Sequence, residues 1–245
     1  MASTKYDKIY QNLKRRIESG EFQAPDLLPS EYTLIEQYDC SRNTIRRAIA
    51  TLAAQGYVQS VHGKGVQIIY HPLGQSEFTL GQIESFKETA IRHHRQWITT
   101  VLTFQLIEAD EALSERTTFP VGTPLYYIQR LRSLENRALI LDHNYFRQDI
   151  IPGLTADIAA DSIYEYIEDF LGQTIVTTKR IVTVERTDEL DERYLDLNDC
   201  NCVAVVSNFT YNSDGIMFEY TRSRHQPEHF SFYDQATRSH LPKTE

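Results

Sequence analysis

Between Ser41 and Gly56 the chain spells one helix with two unlike faces. Ile45, Ala48, Ile49 and Leu52 recur at helical spacing and form an inward stripe. The opposite face is left to Arg42, Asn43, Arg46 and Arg47, and Ser41 is a residue type that caps helix starts. Such a helix has to lie on an apolar support and turn its arginines to water. The neighbouring sequence supplies that support. Tyr6, Ile9, Tyr10, Leu13 and Ile17 predict a first amphipathic helix, ended by Gly20. Pro25 and Pro29 punctuate a loop. Ser30 then caps a short helix over Ser30–Tyr38, with Glu31 suited to its positive end and Leu34, Ile35 and Tyr38 turned inward. After Gly56, Tyr57–Ser60 and Val66–Tyr70 read as two short strands around His62-Gly63-Lys64-Gly65, where glycines permit a tight turn. Helix, short helix, capped helix and glycine-tipped hairpin is the order of a winged helix-turn-helix.

That order assigns chemistry. Ser41, Asn43 and Thr44 sit in the first turn of the third helix, where a recognition helix meets base edges. Arginine pairs bidentately with guanine, and asparagine or threonine reads neighbouring bases or bonds phosphate. The wing tip at His62, Gly63 and Lys64 is slim enough for a minor groove, with Lys64 neutralising phosphate. Charge agrees in sign. The chain carries −9 in all, which speaks against coating nucleic acid non-specifically. Residues 1–70 hold nine Lys/Arg against seven Asp/Glu, a net of +2, and residues 71–245 carry −11. One end can approach phosphate and the rest is repelled by it.

The expected domains are residues 1–70, a linker at 71–80 that is polar and glycine-bearing, and a second domain at 81–238 mixing helices and strands. Ile83–His94 predicts a helix, Ile98–Ile107 a strand, and Asp110–Arg116 a short helix. Leu125–Ser133 and Ala138–Phe146 predict a hairpin around Glu135-Asn136, followed by a helix at Ile163–Leu171 and a strand at Lys179–Arg186. The tail echoes the middle. Asp188-Glu189 with its helix, then Val203–Tyr211 and Ile216–Arg224, repeats the Asp110 helix and hairpin at an offset of 77–78 residues. A strand–helix–hairpin unit used twice predicts a pseudo-symmetric antiparallel sheet, so the fold class is α+β. In this domain Arg130 and Arg132 alternate on one strand and share a face. Ser162 is placed as a helix N-cap with Glu165 completing a capping box. Two arginines beside a helix start suit a phosphate, or equally a carboxylate.

Several classes are disfavoured. Met1–Tyr10 is polar, so no secretory leader is expected, and no apolar stretch is long enough to span a bilayer. The three cysteines, Cys40, Cys200 and Cys202, form no CxxC pair, which fits reduced thiols in the cytoplasm and no metal site. No nucleophile–base constellation or glycine-rich nucleotide loop appears, so neither catalysis nor a cofactor is expected.

The first seventy residues resemble a known family. Leu28-Pro29-Ser30-Glu31, Ser41-Arg42-Asn43-Thr44-Ile45-Arg46-Arg47-Ala48, Gly56-Tyr57-Val58 and Gly63-Lys64-Gly65 are similar to the GntR family of bacterial regulators over residues 5–68. The resemblance implies DNA contact by Arg42, Thr44 and Arg46 and by His62, Gly63 and Lys64. After Pro29-Ser30-Glu31 the family usually carries an arginine that touches phosphate, and here Tyr32 offers one hydroxyl instead. Residues 80–235 resemble the UTRA effector domain of the HutC-type branch, on Ser85-Phe86, Arg130-Leu131-Arg132, Ser162-Ile163-Tyr164-Glu165 and Phe218-Glu219-Tyr220. That fold is similar to chorismate lyase, which leaves a lyase-like enzyme as a remote alternative. The resemblance implies a phosphate held by Ser85, Arg130, Arg132, Ser162 and Tyr164, with Asp142, Glu185, Glu219 and His225 left for sugar hydroxyls. Ile151-Pro152-Gly153-Leu154-Thr155, Arg193-Tyr194-Leu195-Asp196-Leu197 and Glu219-Tyr220-Thr221-Arg222-Ser223-Arg224-His225 are similar to a trehalose-operon subgroup of repressors. Trehalose 6-phosphate is the implied inducer. A palindromic double-stranded operator and a homodimer without membrane partners complete the expectation.

Overall fold

The computed structural model describes residues 4–71, 77–79, 83, 87–88 and 96–233. The chain divides into two compact units, Met1–Gly81 with Phe232–Glu245, and Gln82–Ser231.

In the first unit α1 (Lys5–Glu18) lays Ile9, Tyr10, Leu13 and Ile17 on the inward faces of α2 (Glu31–Tyr38) and α3 (Arg42–Ala54), around Leu34, Ile45, Ala48, Ile49 and Leu52. Both later helices start where a serine side chain replaces a missing backbone partner. Ser30 Oγ accepts from Thr33 N at 3.1 Å and Ser41 Oγ from Thr44 N at 3.3 Å. β1 (Val58–Val61) and β2 (Gly65–Ile68) pair antiparallel, and their turn is closed by Lys64 N donating to Val61 O at 3.0 Å. Gly63 and Gly65 sit at φ +73° and +126°, a backbone that side-chain-bearing residues rarely adopt. A further short strand, β3 (Glu77–Thr79), pairs with β10 (Ser231–Tyr233).

The second unit is a six-stranded antiparallel sheet built from two similar runs. The first is β4 (Trp97–Glu108), α4 (Glu111–Thr117), β5 (Pro124–Leu134) and β6 (Arg137–Arg147). The second is β7 (Ile175–Arg186), α7 (Glu189–Tyr194), β8 (Cys202–Asn212) and β9 (Met217–His225). Their strand order, β4-β5-β6-β9-β8-β7, is a triplet followed by the same triplet reversed, so the repeat read from the sequence is a repeat in space. The two copies meet where β6 pairs β9, with Asn144 opposite Thr221. Each short helix is capped by an aspartate: Asp110 Oδ1 accepts from Leu113 N at 2.7 Å, and Asp188 Oδ1 from Leu190 N at 2.9 Å. The first hairpin turns at Glu135 and Asn136, both with positive φ.

α5 (Ala156–Ala160) and α6 (Ile163–Glu165) cover one sheet face, around Tyr126, Ile128, Phe146, Ala159, Ile163, Ile167 and Phe218. α4 and α7 cover the other. The helix expected over Ile163–Leu171 is a single α-turn that widens into a π-turn over Tyr166–Phe170. The widening keeps Ile163 and Ile167 buried while Tyr166 Oη donates to Pro152 O at 2.8 Å and its ring stacks on Phe170. Of the helix expected over Ile83–His94, only Lys87 and Glu88 are described as helical, and the rest lies largely outside the described residues. Among the described residues no helix is long and apolar enough to cross a membrane.

Candidate functional site

Two groups of arginines dominate the polar chemistry, one in each unit. In the first, Arg42, Asn43, Arg46 and Arg47 stand exposed on α3, and Tyr32 is exposed on α2. Ser41 Oγ and Thr44 Oγ1 lie 2.9 Å apart in the first turn. Glu31 gathers two of the arginines: Arg46 Nε donates to its two oxygens at 3.0 and 3.2 Å, and Arg42 Nε lies 3.5 Å away. The Arg47 guanidinium stacks over the Tyr6 ring at 3.7 Å. His62, Gly63 and Lys64 are exposed at the wing tip, and nothing lies within 4 Å of a side chain built on Gly63. Sequence reasoning placed Glu31 only as a helix-start acid and missed its grip on the arginines. Three exposed arginines on one helix, with a slim wing in the same unit, suit a polyanion with grooves.

In the second unit the arginines are inside. Register puts Arg130 directly opposite Asp142, and Asp142 opposite Ser223. Arg132 Nε donates to Asp142 Oδ2 at 3.0 Å, its Nη1 to Thr99 Oγ1 at 2.5 Å, and Ser223 Oγ donates to Asp142 Oδ1 at 2.6 Å. Arg130 is held otherwise. Its Nε donates to Asn144 Oδ1 at 2.8 Å and its Nη1 to Ala159 O at 3.4 Å, while the Asp142 carboxylate stands 4.0 Å off. From Asn144 the bonds run on across the sheet. Asn144 Nδ2 donates to Thr221 Oγ1 at 2.7 Å, Thr221 Oγ1 to Glu219 Oε1 at 2.5 Å, and Tyr164 Oη to Glu219 Oε2 at 2.7 Å. Arg130, Arg132, Asp142, Asn144, Thr221, Glu219 and His225 are all buried.

Burial sets the electrostatics. It drives the Arg130 guanidinium down to about 9, with Arg132 adding to the depression. Burial also pushes the Asp142 carboxyl up, but Arg132 and Arg130 more than reverse this and hold it below its ordinary range. Glu219 is raised by burial against the pull of its Thr221 and Tyr164 bonds, and Tyr164 is raised by burial and by Glu219. Burial brings His225 down to about 4, so its ring is neutral at pH 7. Among the described residues the close acceptors of Arg130 are neutral, so its charge is less compensated than that of Arg132.

Of the residues singled out from sequence, Arg130, Arg132, Asp142, Tyr164, Glu219 and His225 lie with the face that α5 and α6 cover, and Ser162 starts α6 above it. Two readings need correction. Ser162 Oγ does cap the turn, accepting from Glu165 N at 3.3 Å, but the Glu165 carboxylate is taken by Lys87 Nζ at 2.7 Å. The capping box is therefore half made, and one α-turn supplies N–H groups more than a helix dipole. Glu185 is on the wrong side. Side chains alternate along β9, so Glu219, Thr221, Ser223 and His225 face one way and Arg222 and Arg224 the other. Glu185 bonds Arg222, and Arg224 Nη1 at 3.0 Å, which anchors it on the α7 side; Arg224 also holds Asp191 at 2.5 Å. Ser85 lies outside the described residues. Asn144, Thr221, Thr99 and Ser223 were not foreseen. Among the described residues no group of His, Cys, Asp and Glu is placed to hold a metal ion.

Comparison with known proteins matches both units. Residues 5–68 fit the model of bacterial regulatory proteins of the gntR family, and residues 92–231 fit the UTRA domain. The HTH-type transcriptional regulator TreR of Bacillus subtilis is 34% identical over 97% of this chain and 99% of its own length. The effector binding domain of the B. subtilis trehalose repressor aligns at 33% identity with a TM-score of 0.53, covering 58% of this chain and 99% of that one. The possible transcriptional regulator YydK of B. subtilis, at 22% identity, superposes with a TM-score of 0.80 over 96% of this chain and 100% of that one, which speaks for the fold.

Proposed function

The chain belongs to the GntR family of bacterial transcription regulators and carries a UTRA effector domain, and on that premise we propose a homodimeric, cytoplasmic repressor released from a palindromic operator by a phosphorylated sugar. The reading gives base and phosphate contacts to Ser41, Arg42, Asn43, Thr44, Arg46 and Arg47 on α3, to His62, Gly63 and Lys64 on the wing, and to Tyr32. It gives the phosphate to Arg130 and Arg132 with Ser162 and Tyr164, and Ser85 joins them by resemblance. Sugar hydroxyls fall to Glu219 and His225, with Asp142 as the counter-ion that aligns the arginines. Trehalose 6-phosphate is the ligand the reading favours, supported by the likeness to the trehalose repressor. One observation carries the anion site: among the described residues, buried Arg130 has neutral acceptors in close contact and its nearest carboxylate, Asp142, at 4.0 Å.

An anion bound to Arg130 also approaches Ala159 and the Ser162 turn, so it bridges the sheet to the helices above it. If that shifts the population of DNA-competent arrangements, a tenfold loss of operator affinity needs only about 1.4 kcal/mol of coupling.

Isothermal titration with trehalose 6-phosphate, trehalose, glucose 6-phosphate and inorganic phosphate tests the ligand. Trehalose 6-phosphate should bind tightest and free trehalose should fail. Tighter binding of another sugar phosphate or of an organic acid replaces the ligand and keeps the regulator. Arg130→Ala should bind operator normally and stay bound when the ligand is added. Full release of this variant would show the anion site to be elsewhere.

A further inference from the structure

Arg130 and Arg132 stand on one half of their sheet face, and the other half repeats the polar pattern. Direct pairing carries one row of side chains across the sheet: Asn144 on β6, Thr221 on β9, Asn208 on β8 and Arg180 on β7. Directly opposed residues of an antiparallel pair share a face, so the whole row lies on the face that carries Glu219. Arg130 Nε donates to Asn144 Oδ1 at 2.8 Å, and Arg180 Nε donates to Asn208 Oδ1 at 3.1 Å. Each end of the row is thus an arginine held on an asparagine, with Thr221 between. At the 78-residue offset of the repeat, Arg130 corresponds to Asn208, so the second half takes its arginine from the neighbouring edge strand. Beside Asn208, Thr210 pairs with Glu219, and its Oγ1 donates to Thr178 Oγ1 at 3.4 Å. The Arg180 charge reaches Tyr164, where it opposes the rise caused by burial and by Glu219.

The two ends differ in what they suit. Arg130 is buried, and Arg132 shares its face. Arg180 is half-buried, among the amide of Asn208 and the hydroxyls of Thr178 and Thr210. Two desolvated guanidiniums suit a charge. A half-solvated guanidinium fork beside an amide suits neutral hydroxyls, which both give and take hydrogen bonds. Asn144 and Asn208 stand two strand spacings apart, about 10 Å. That span exceeds one pyranose ring and suits two joined rings.

We infer that Arg180 and Asn208 hold hydroxyls on the second ring of a phosphorylated disaccharide whose phosphate lies at Arg130. The inference rests on the effector reading above and deepens it, because it names the residues that choose ligand length. Glu219, in the middle of the face, meets the ring next to the phosphate. A one-ring phosphate satisfies Arg130 and forfeits the bonds at Arg180.

The test is isothermal titration of the full chain with trehalose 6-phosphate, sucrose 6-phosphate and glucose 6-phosphate. The Kd for glucose 6-phosphate divided by the Kd for the tighter disaccharide phosphate measures the second ring. In the parent this ratio should exceed ~10, the value of a hydrogen bond to a charged group. Arg180→Met keeps the aliphatic stem, and its ratio should fall at least ~10-fold. Asn208→Ala removes only an amide, and its ratio should fall in the same direction. Arg130→Ala should weaken one-ring and two-ring phosphates alike and so preserve the ratio. A parent ratio near one overturns the second-ring subsite and leaves the anion site standing. So does a ratio kept by Arg180→Met, or by Asn208→Ala should the first variant fail to fold. A parent that binds none of the three sugars removes the phosphosugar reading itself, and this inference with it.

Discussion

Arg46 and Arg130 carry the same guanidinium into opposite surroundings. The Arg46 side chain is 61% exposed, and its partner Glu31 is also reached by water. The Arg130 side chain is 9% exposed and leans on an amide, a carbonyl and a carboxylate at 4.0 Å. An exposed ion pair is screened, contributes about 0–1 kcal/mol and is cheaply traded for another anion. A buried guanidinium has already given up its water, and its neighbours are arranged around it, so removing one leaves a charge stranded. The helical arginines are therefore set for exchange and the sheet arginines for pre-organisation, which suits the DNA and ligand roles proposed for them.

Asp142→Ala puts that contrast under the largest strain. It strips Arg132 of its Nε acceptor and leaves two buried guanidiniums facing each other. Urea unfolding should show a loss of about 3–5 kcal/mol. A loss below about 1 kcal/mol would mean that the sheet arginines are as well solvated as the helical ones, and the distinction would collapse. Arg46→Ala is the mirror case. Operator affinity should fall by about 1–3 kcal/mol in fluorescence anisotropy, the value of one bidentate base contact. Unfolding free energy should stay within about 0.5 kcal/mol of the parent, because the side chain stands in solvent. Glu31→Gln sharpens the comparison at its weak end. It frees Arg42 and Arg46 with a stability change under about 1 kcal/mol. Non-specific DNA should bind a few-fold tighter at low salt, and the gain should vanish as salt rises. A gain that persists at high salt would mean that Glu31 restrains the helix by shape and not by charge.

Local chemistry was legible in the sequence wherever a residue acts on its own neighbourhood. Ser30, Ser41 and Ser162 cap the turns that follow them, Glu135 and Asn136 take the positive φ of a tight hairpin, and the 77–78-residue echo announced the doubled sheet. Arg130 and Arg132 were found because alternation on one strand needs no knowledge of any other. What stayed hidden depends on register between strands far apart in the chain. Asn144 meets Thr221 across 77 residues and Ser223 meets Asp142 across 81, and nothing near either residue signals the encounter. Glu185 was misplaced for the same reason. Alternation tells which residues of one strand share a face, but not which face that is relative to another strand. The π-turn after Glu165 escaped because its apolar spacing is that of an ordinary helix.

The path from Arg130 to Tyr164 has a grain. Arg130 gives a hydrogen to Asn144, Asn144 gives one to Thr221, Thr221 gives one to Glu219, and Tyr164 gives one to Glu219 from the far end. Turning the Asn144 amide over would break two links at once, so the orientation of every rotor is locked before any guest arrives. At the effector site proposed above, the chain has two unlike poles: hydrogens offered at Arg130, lone pairs offered at Glu219. On that proposal a molecule with an acceptor-rich head and a hydroxyl-bearing body is favoured in one orientation, set by the direction of the chain of bonds.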